Sequence, residues 1–129
     1  MPSAPSDARH TEQIDFHGLQ ALRLKASGSE ALVYLQGGHV ASFRMAEQGE
    51  LLWTSAHAMY APGKAIRGGV PICFPWFGAH AARPELPAHG FARTRAFRFE
   101  GSELQGDEVC SRQSLLALDL FQHIIERLA

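Results

Sequence analysis

A chain of 129 residues, 46% of them apolar and with a formal net charge of −1, fits one small domain with a modest core, and a second full domain is not expected. The near-neutral charge argues against a general nucleic-acid binder, and no run approaches the roughly twenty apolar residues of a membrane span. The start, MPSAPSDARHTEQ, lacks the apolar core of a signal peptide, and the two cysteines, Cys73 and Cys110, have no metal-ligand spacing, so the expectation is a soluble cytoplasmic protein with unpaired thiols.

In chain order, residues 1–13 are rich in Pro, Ser and Ala without periodic apolar positions and read as a disordered tail. Residues 19–27 alternate apolar and polar through Leu22 and Leu24, and residues 31–35 are a short β-rich run after the turn signal Gly28-Ser29. Gly37-Gly38 punctuates a hairpin, and residues 39–45 alternate again through Val40 and Phe43. Residues 47–50 read as a polar turn before the brief apolar run Leu51-Leu52-Trp53. Past the central loop, residues 94–99 place Phe97 and Phe99 on one face as a further strand, and residues 101–107 read as a turn-rich break. Residues 111–129 change character: Leu115, Leu118, Phe121, Ile125 and Leu128 recur at helical spacing, with Ser111 or Ser114 as candidate caps. Short strands at close spacing followed by one helix predict a mainly β protein, a partial antiparallel β-sandwich with a C-terminal helix.

The unusual residues gather in residues 65–93, AIRGGVPICFPWFGAHAARPELPAHGFAR. Across residues 64–98, Lys64, Arg67, Arg83, Arg93, Arg95 and Arg98 stand against a single acid, Glu85. Glycines that bend the backbone or admit close approach (Gly68, Gly69, Gly78, Gly90) alternate with prolines that fix φ (Pro71, Pro75, Pro84, Pro87). The result is a long, rigid, irregular loop. Arg67 and Arg93 on such a loop are candidate receptors for a phosphate or carboxylate, because a guanidinium presents a planar fork of donors. Gly68-Gly69 would leave room for the ligand. The plainer reading is that both arginines satisfy carbonyls of the loop itself.

His89 can exchange a hydrogen bond with a sugar hydroxyl or act as an acid or base near neutral pH, although a lone histidine is more often structural. His80 sits near a disordered-looking tip, and the remaining histidines, His10, His17, His39, His57 and His123, read as surface or packing residues. Neither a metal site nor a nucleotide cofactor is expected, since HExxH, GxGxxG and P-loop patterns are absent. Cys73, between Ile72 and Phe74, suits a buried small residue better than a nucleophile. Phe74, Trp76, Phe77 and Phe91 can stack on a sugar or a base, but aromatic clusters of this kind are usually core.

The segments IRGGVPICFPWFG and LPAHGFAR, with LQGGHVASF and ELLWTS upstream, resemble the glucose-6-phosphate 1-epimerase family, the hexose-6-phosphate mutarotases related to galactose mutarotase. The likeness spans about residues 16–100. It implies a large β-sandwich and a cofactor-free exchange of the α and β anomers of a hexose 6-phosphate, with glucose 6-phosphate the first candidate. It also implies that Arg67 and Arg93 grip the phosphate and that His89 contacts the sugar. The family's catalytic glutamate and histidine lie well beyond the HGFAR motif, and neither is identifiable here: His123 falls in a helical pattern, and Glu108 and Glu126 take no role. The expected organisation is a tail over residues 1–13, the N-terminal part of the sandwich over residues 14–107, and a divergent helical tail over residues 108–129. That tail would be a truncation, a frame-shifted end or a replacement. A chain of this kind lacks the catalytic pair and leaves a sheet face and the helix available for self-association. The alternative is a non-catalytic sugar-phosphate-binding module or a partner-binding fragment, with no nucleic acid and no membrane as partner.

Overall fold

The computed structural model describes residues 10–115. Within them the chain is mainly β. Strands β1 (Thr11–Phe16), β2 (Leu19–Ala26), β3 (Ser29–Tyr34), β4 (His39–Met45) and β5 (Gly49–Glu50) form an antiparallel meander in the order β1-β2-β3-β4-β5, while β6 (Arg98–Gln105) and β7 (Glu108–Ser114) make a separate two-stranded antiparallel sheet. Residues 51–91 run between the two as irregular backbone, followed by a single 3-10 turn at Ala92–Thr94.

The centre of the meander is covered on both faces. Successive strand residues point to opposite sides, and the neighbours Ala21 and Leu22 on β2 are both buried, as are Val33 and Tyr34 on β3. Leu19, Ala21, Tyr34 and Ala41 join Ile66 from the central loop in one core cluster, with Ile14, Leu32, Ala58 and Tyr60 packed around it. Chain reversals use glycine where φ must be positive: His17 and Gly18, at φ 57° and 83°, turn β1 into β2, with Asp15 Oδ1 accepting from the Gly18 N–H at 3.0 Å. Gly37 and Gly38 do the same between β3 and β4.

The β2, β3 and β4 expectations match the observed strands, and four other expectations are corrected. Thr11, Glu12 and Gln13 belong to β1, paired with Leu24, Arg23 and Leu22, and not to a loose tail. An edge strand needs one bonded neighbour and few apolar residues, so TEQIDF carries a weak pattern. Gly49 and Glu50, read as turn, pair with Met45 and Arg44. The strand expected at residues 94–99 begins only at Arg98. Before it, i to i+3 bonds from Thr94 N–H to Phe91 O and from Arg95 N–H to Ala92 O curl the chain. Finally, the break expected at residues 101–107 is strand as far as Gln105, because Gly101, at φ 139°, absorbs a bulge that a hairpin tolerates.

The expected C-terminal helix also changes at its start. Residues 108–114, EVCSRQS, alternate with period two and pair along β6, Ser111 opposite Ser102 and Ser114 opposite Arg98. The candidate caps are therefore strand residues: the Ser111 hydroxyl accepts from Gln113 Nε2, and the Ser114 hydroxyl donates to Glu100. The rest of the proposed helix, residues 116–129, and residues 1–9 lie outside the described residues. Among the described residues no helix is long and apolar enough to cross a membrane.

Candidate functional site

The loop over residues 65–93 is tied to β4, to the segment after β5 and to itself. Single antiparallel bridges join Val70 to Val40 and Gly68 to Thr54, and a parallel bridge closes the loop on itself between Phe74 and Gly90. Ser55 N–H donates to Arg67 O at 3.0 Å, Gly69 N–H to Trp53 O at 2.7 Å, and Val70 N–H to Val40 O at 2.8 Å. Ile66, buried in the core, anchors the segment immediately before Arg67.

This stitching explains Gly68-Gly69 differently from the expectation of room for a ligand. Both have positive φ, 113° and 63°. A Cβ on Gly68 would run into the backbone of Trp53 and Thr54, and one on Gly69 into the Val40 carbonyl. The space is filled by protein backbone, so the pair serves close packing. Gly90 behaves alike, meeting the Phe74 carbonyl where a Cβ would stand.

His39, the first residue of β4, lies beneath this turn with 1% of its surface exposed. Its Nε2 is 2.6 Å from Gly68 O; a carbonyl only accepts, so Nε2 carries the hydrogen. Burial pushes the imidazole below its ordinary range, against the opposing pull of the Gly68 bond, and the charge of Arg93 lowers it further. The expectation of a surface or packing residue resolves to packing.

Arg67 is exposed, and its side chain has no polar partner among the described residues. Arg93, on the 3-10 turn, donates from one terminal nitrogen to Ala88 O at 3.0 Å, while its Nε is buried without a partner. The plainer reading thus holds for one nitrogen of Arg93 and for none of Arg67.

His89 adopts φ 67°, and residue 78 holds it from both sides: His89 N–H donates to Gly78 O at 2.9 Å, and Gly78 N–H donates to His89 Nδ1 at 3.0 Å. A ring nitrogen that accepts carries no proton, so the neutral ring offers Nε2–H as a donor, and that atom has no partner among the described residues. Arg93 reaches the carbonyl of Ala88, the residue before His89, and its charge acts on His39, whose ring bonds the Gly68 carbonyl next to Arg67; no contact joins the Arg67 side chain to either among the described residues.

The aromatic residues divide. Phe91 is buried with Leu86, and Trp76 packs on it edge to face at 5.0 Å, its indole N–H donating to Pro87 O. These two are core, as expected for such clusters. Phe74 and Phe77 are not: Phe77 is 81% exposed, with its ring 5.0 Å from that of His89. The tip near His80 is a bonded turn in place of the disordered-looking one expected, with His80 Nδ1 accepting from Ala82 and Arg83 N–H and the Trp76 ring at 4.7 Å. Cys73 is half-buried, and Cys110 is exposed. Among the described residues no three His, Cys, Asp or Glu side chains gather in a way that could hold a metal ion.

An antiparallel β meander, a second small sheet, and a glycine-pinned loop that displays arginines and a histidine define a mutarotase-like β scaffold. The chain belongs to the aldose 1-epimerase family, whose sequence profile matches residues 20–125. It is 40% identical over 101 residues to a protein of Escherichia coli (strain K12) named as a candidate glucose-6-phosphate 1-epimerase, covering 78% of this chain and 32% of that one. It is 47% identical over 79 residues to a protein of Cenchrus ciliaris with the same designation, covering 60% of this chain and 23% of that one. The crystal structure of a candidate mutarotase from Salmonella typhimurium superposes with a TM-score of 0.78 at 31% identity, over 84% of this chain and 37% of that one. The chain thus spans about a third of the length of such relatives.

Proposed function

We propose that the chain carries the phosphate-gripping part of a hexose-6-phosphate 1-epimerase. Arg67 and Arg93 clamp the phosphate, the Nε2–H of His89 donates to a sugar hydroxyl, and the exposed Phe77 ring beside it offers an apolar surface to the sugar face. The observation that carries this reading is the idle donor capacity around one loop: a free Arg67 side chain, a partnerless Arg93 Nε, and a His89 tautomer pinned so that its outer nitrogen points a hydrogen away from Gly78. The names given to the relatives point to glucose 6-phosphate as the first ligand to try.

In the reaction itself a base removes the proton from the C1 hydroxyl while an acid protonates the ring oxygen. The ring opens, the aldehyde turns, and closure from its other face reverses both transfers. No described residue is assigned either role. His123 and Glu126 lie outside the described residues, and Glu108 sits at the β6–β7 turn. What this chain supplies is therefore orientation and charge neutralisation. A doubly charged sugar phosphate does not cross a bilayer unaided, so the reading carries a cytoplasmic location with it. The same residues serve the alternative, a sugar-phosphate-binding module without catalysis.

Titrating the folded chain with glucose 6-phosphate and following anomer exchange by NMR tests both. Saturable binding, weakened about tenfold or more by Arg67→Ala and by Arg93→Ala, with exchange at the uncatalysed rate, is the expected result. Binding unchanged by either substitution would remove the phosphate grip, and accelerated exchange would place the acid and base within these 129 residues.

A further inference from the structure

We infer that His39 is a positioning residue of the phosphate grip: from beneath the turn it braces the Gly68 carbonyl and so sets the backbone from which Arg67 is presented. This rests on the function proposed above for the two arginines.

Four observations converge on it. Among the described residues His39 is the only buried histidine, with 1% of its surface exposed, so it is withdrawn from solvent and substrate alike. Its Nε2–H lies 2.6 Å from Gly68 O, the residue directly after Arg67. Gly69 follows at φ 63°, and a Cβ there would stand against both Val40 O and the same His39 Nε2, so imidazole and turn are fitted to each other. Arg93, the other half of the grip, is near enough for its charge to act on the His39 ring. One uncharged ring therefore touches the turn carrying one arginine and lies beside the other.

A neutral donor suits that place. Within reach of the Arg93 charge a lysine or arginine would add repulsion, and an apolar residue would leave the Gly68 carbonyl without its bond. Histidine keeps a donor at the required reach without adding charge. The role is one of position, because the side chain touches no substrate.

The test measures affinity of the folded chain for glucose 6-phosphate and for inorganic phosphate, together with the thermal midpoint, in the parent and in His39→Phe and His39→Gln. Phenylalanine keeps the ring and removes the donor, while glutamine places an amide nitrogen close to the Nε2 position. The expected result is a loss of about tenfold in affinity for both ligands in His39→Phe, measured well below its thermal midpoint, and recovery to within about threefold in His39→Gln. Should His39→Phe not fold, His39→Asn, whose shorter amide falls short of Gly68, takes its place with the same expectation. A midpoint that drops while both affinities stay at the parent level would make His39 a packing residue only and overturn the inference, leaving the phosphate grip standing. A parent chain that binds neither ligand overturns the grip itself, and the inference with it.

Discussion

Gly69 lies where the loop crosses β4, and its environment makes a specific demand. With φ at 63° and the Val40 carbonyl in the space of a Cβ, Gly69→Ala should cost more than the ~1–2 kcal/mol that a left-handed conformation alone costs an L-residue, read as a lowered urea midpoint. Gly18, equally positive in φ but with open space around it, should tolerate alanine better. His39 gives a pH dependence whose sign follows from linkage. Burial lowers its proton affinity in the folded chain below the ordinary 6.5, so the unfolded chain takes up the proton first. Its contribution is fully present above about pH 6.5 and is lost as pH falls through the folded-state value. The urea midpoint should decline between pH 7.5 and pH 5, and the decline should be shallower in His39→Gln. Identical slopes would show that other groups carry it. The loop's residue types were readable as an anion receptor, yet the role of Gly68-Gly69 was not, because a glycine vacates space and only the fold determines what fills it.

Among the elements, the link from β4 to β5 depends on one carboxylate. Glu50 accepts from the Ser42 hydroxyl and from the N–H groups of Phe43 and Leu52. Although desolvation pushes its proton affinity up, those bonds and the charge of Arg44 outweigh it and hold the carboxyl below its ordinary 4.5. This contribution is present above about pH 4.5 and is lost as pH falls through the lowered value. Amide exchange at Phe43 and Leu52 should therefore accelerate in Glu50→Ala at neutral pH, and in the parent only on strong acidification. Unchanged protection would mean that the two-residue β5 holds without its acid. In the sequence Glu50 reads as part of a polar turn, since two residues are too few to show a period. The same limit hid β1, an edge strand with few apolar residues, and the bulged part of β6, where Gly101 imitates a turn. By contrast β2, β3 and β4 were legible because strands at the middle of a sheet repeat apolar residues in phase.

At the scale of the whole molecule, the described surface carries large apolar side chains between residues 51 and 77: Leu51, Trp53, Val70, Phe74 and Phe77 are all exposed, Trp53 at 72%. Trp53 O accepts from the N–H of Gly69, the residue before Val70. We propose that these exposed side chains drive self-association, so sedimentation should show a mass rising with concentration and a weaker rise in Trp53→Gln, whereas a monomer at all concentrations would dismiss them as an interface. The family and the residues of the candidate grip could be read from the sequence by itself, because Arg67-Gly68-Gly69 and His89-Gly90-Phe91-Ala92-Arg93 are local motifs whose residue types state their chemistry. Residues 111–114 could not. Ser-Arg-Gln-Ser has no apolar residue to show a period and leads into a run at helical spacing from Leu115, so only pairing with β6 decides for strand. Nor could the buried His39, the pinned tautomer of His89, or the separation of Phe77 from Trp76 and Phe91 be read in advance. Each depends on which distant backbone carbonyl, amide or ring arrives beside it, and that is decided only when the loop is tied across the sheet.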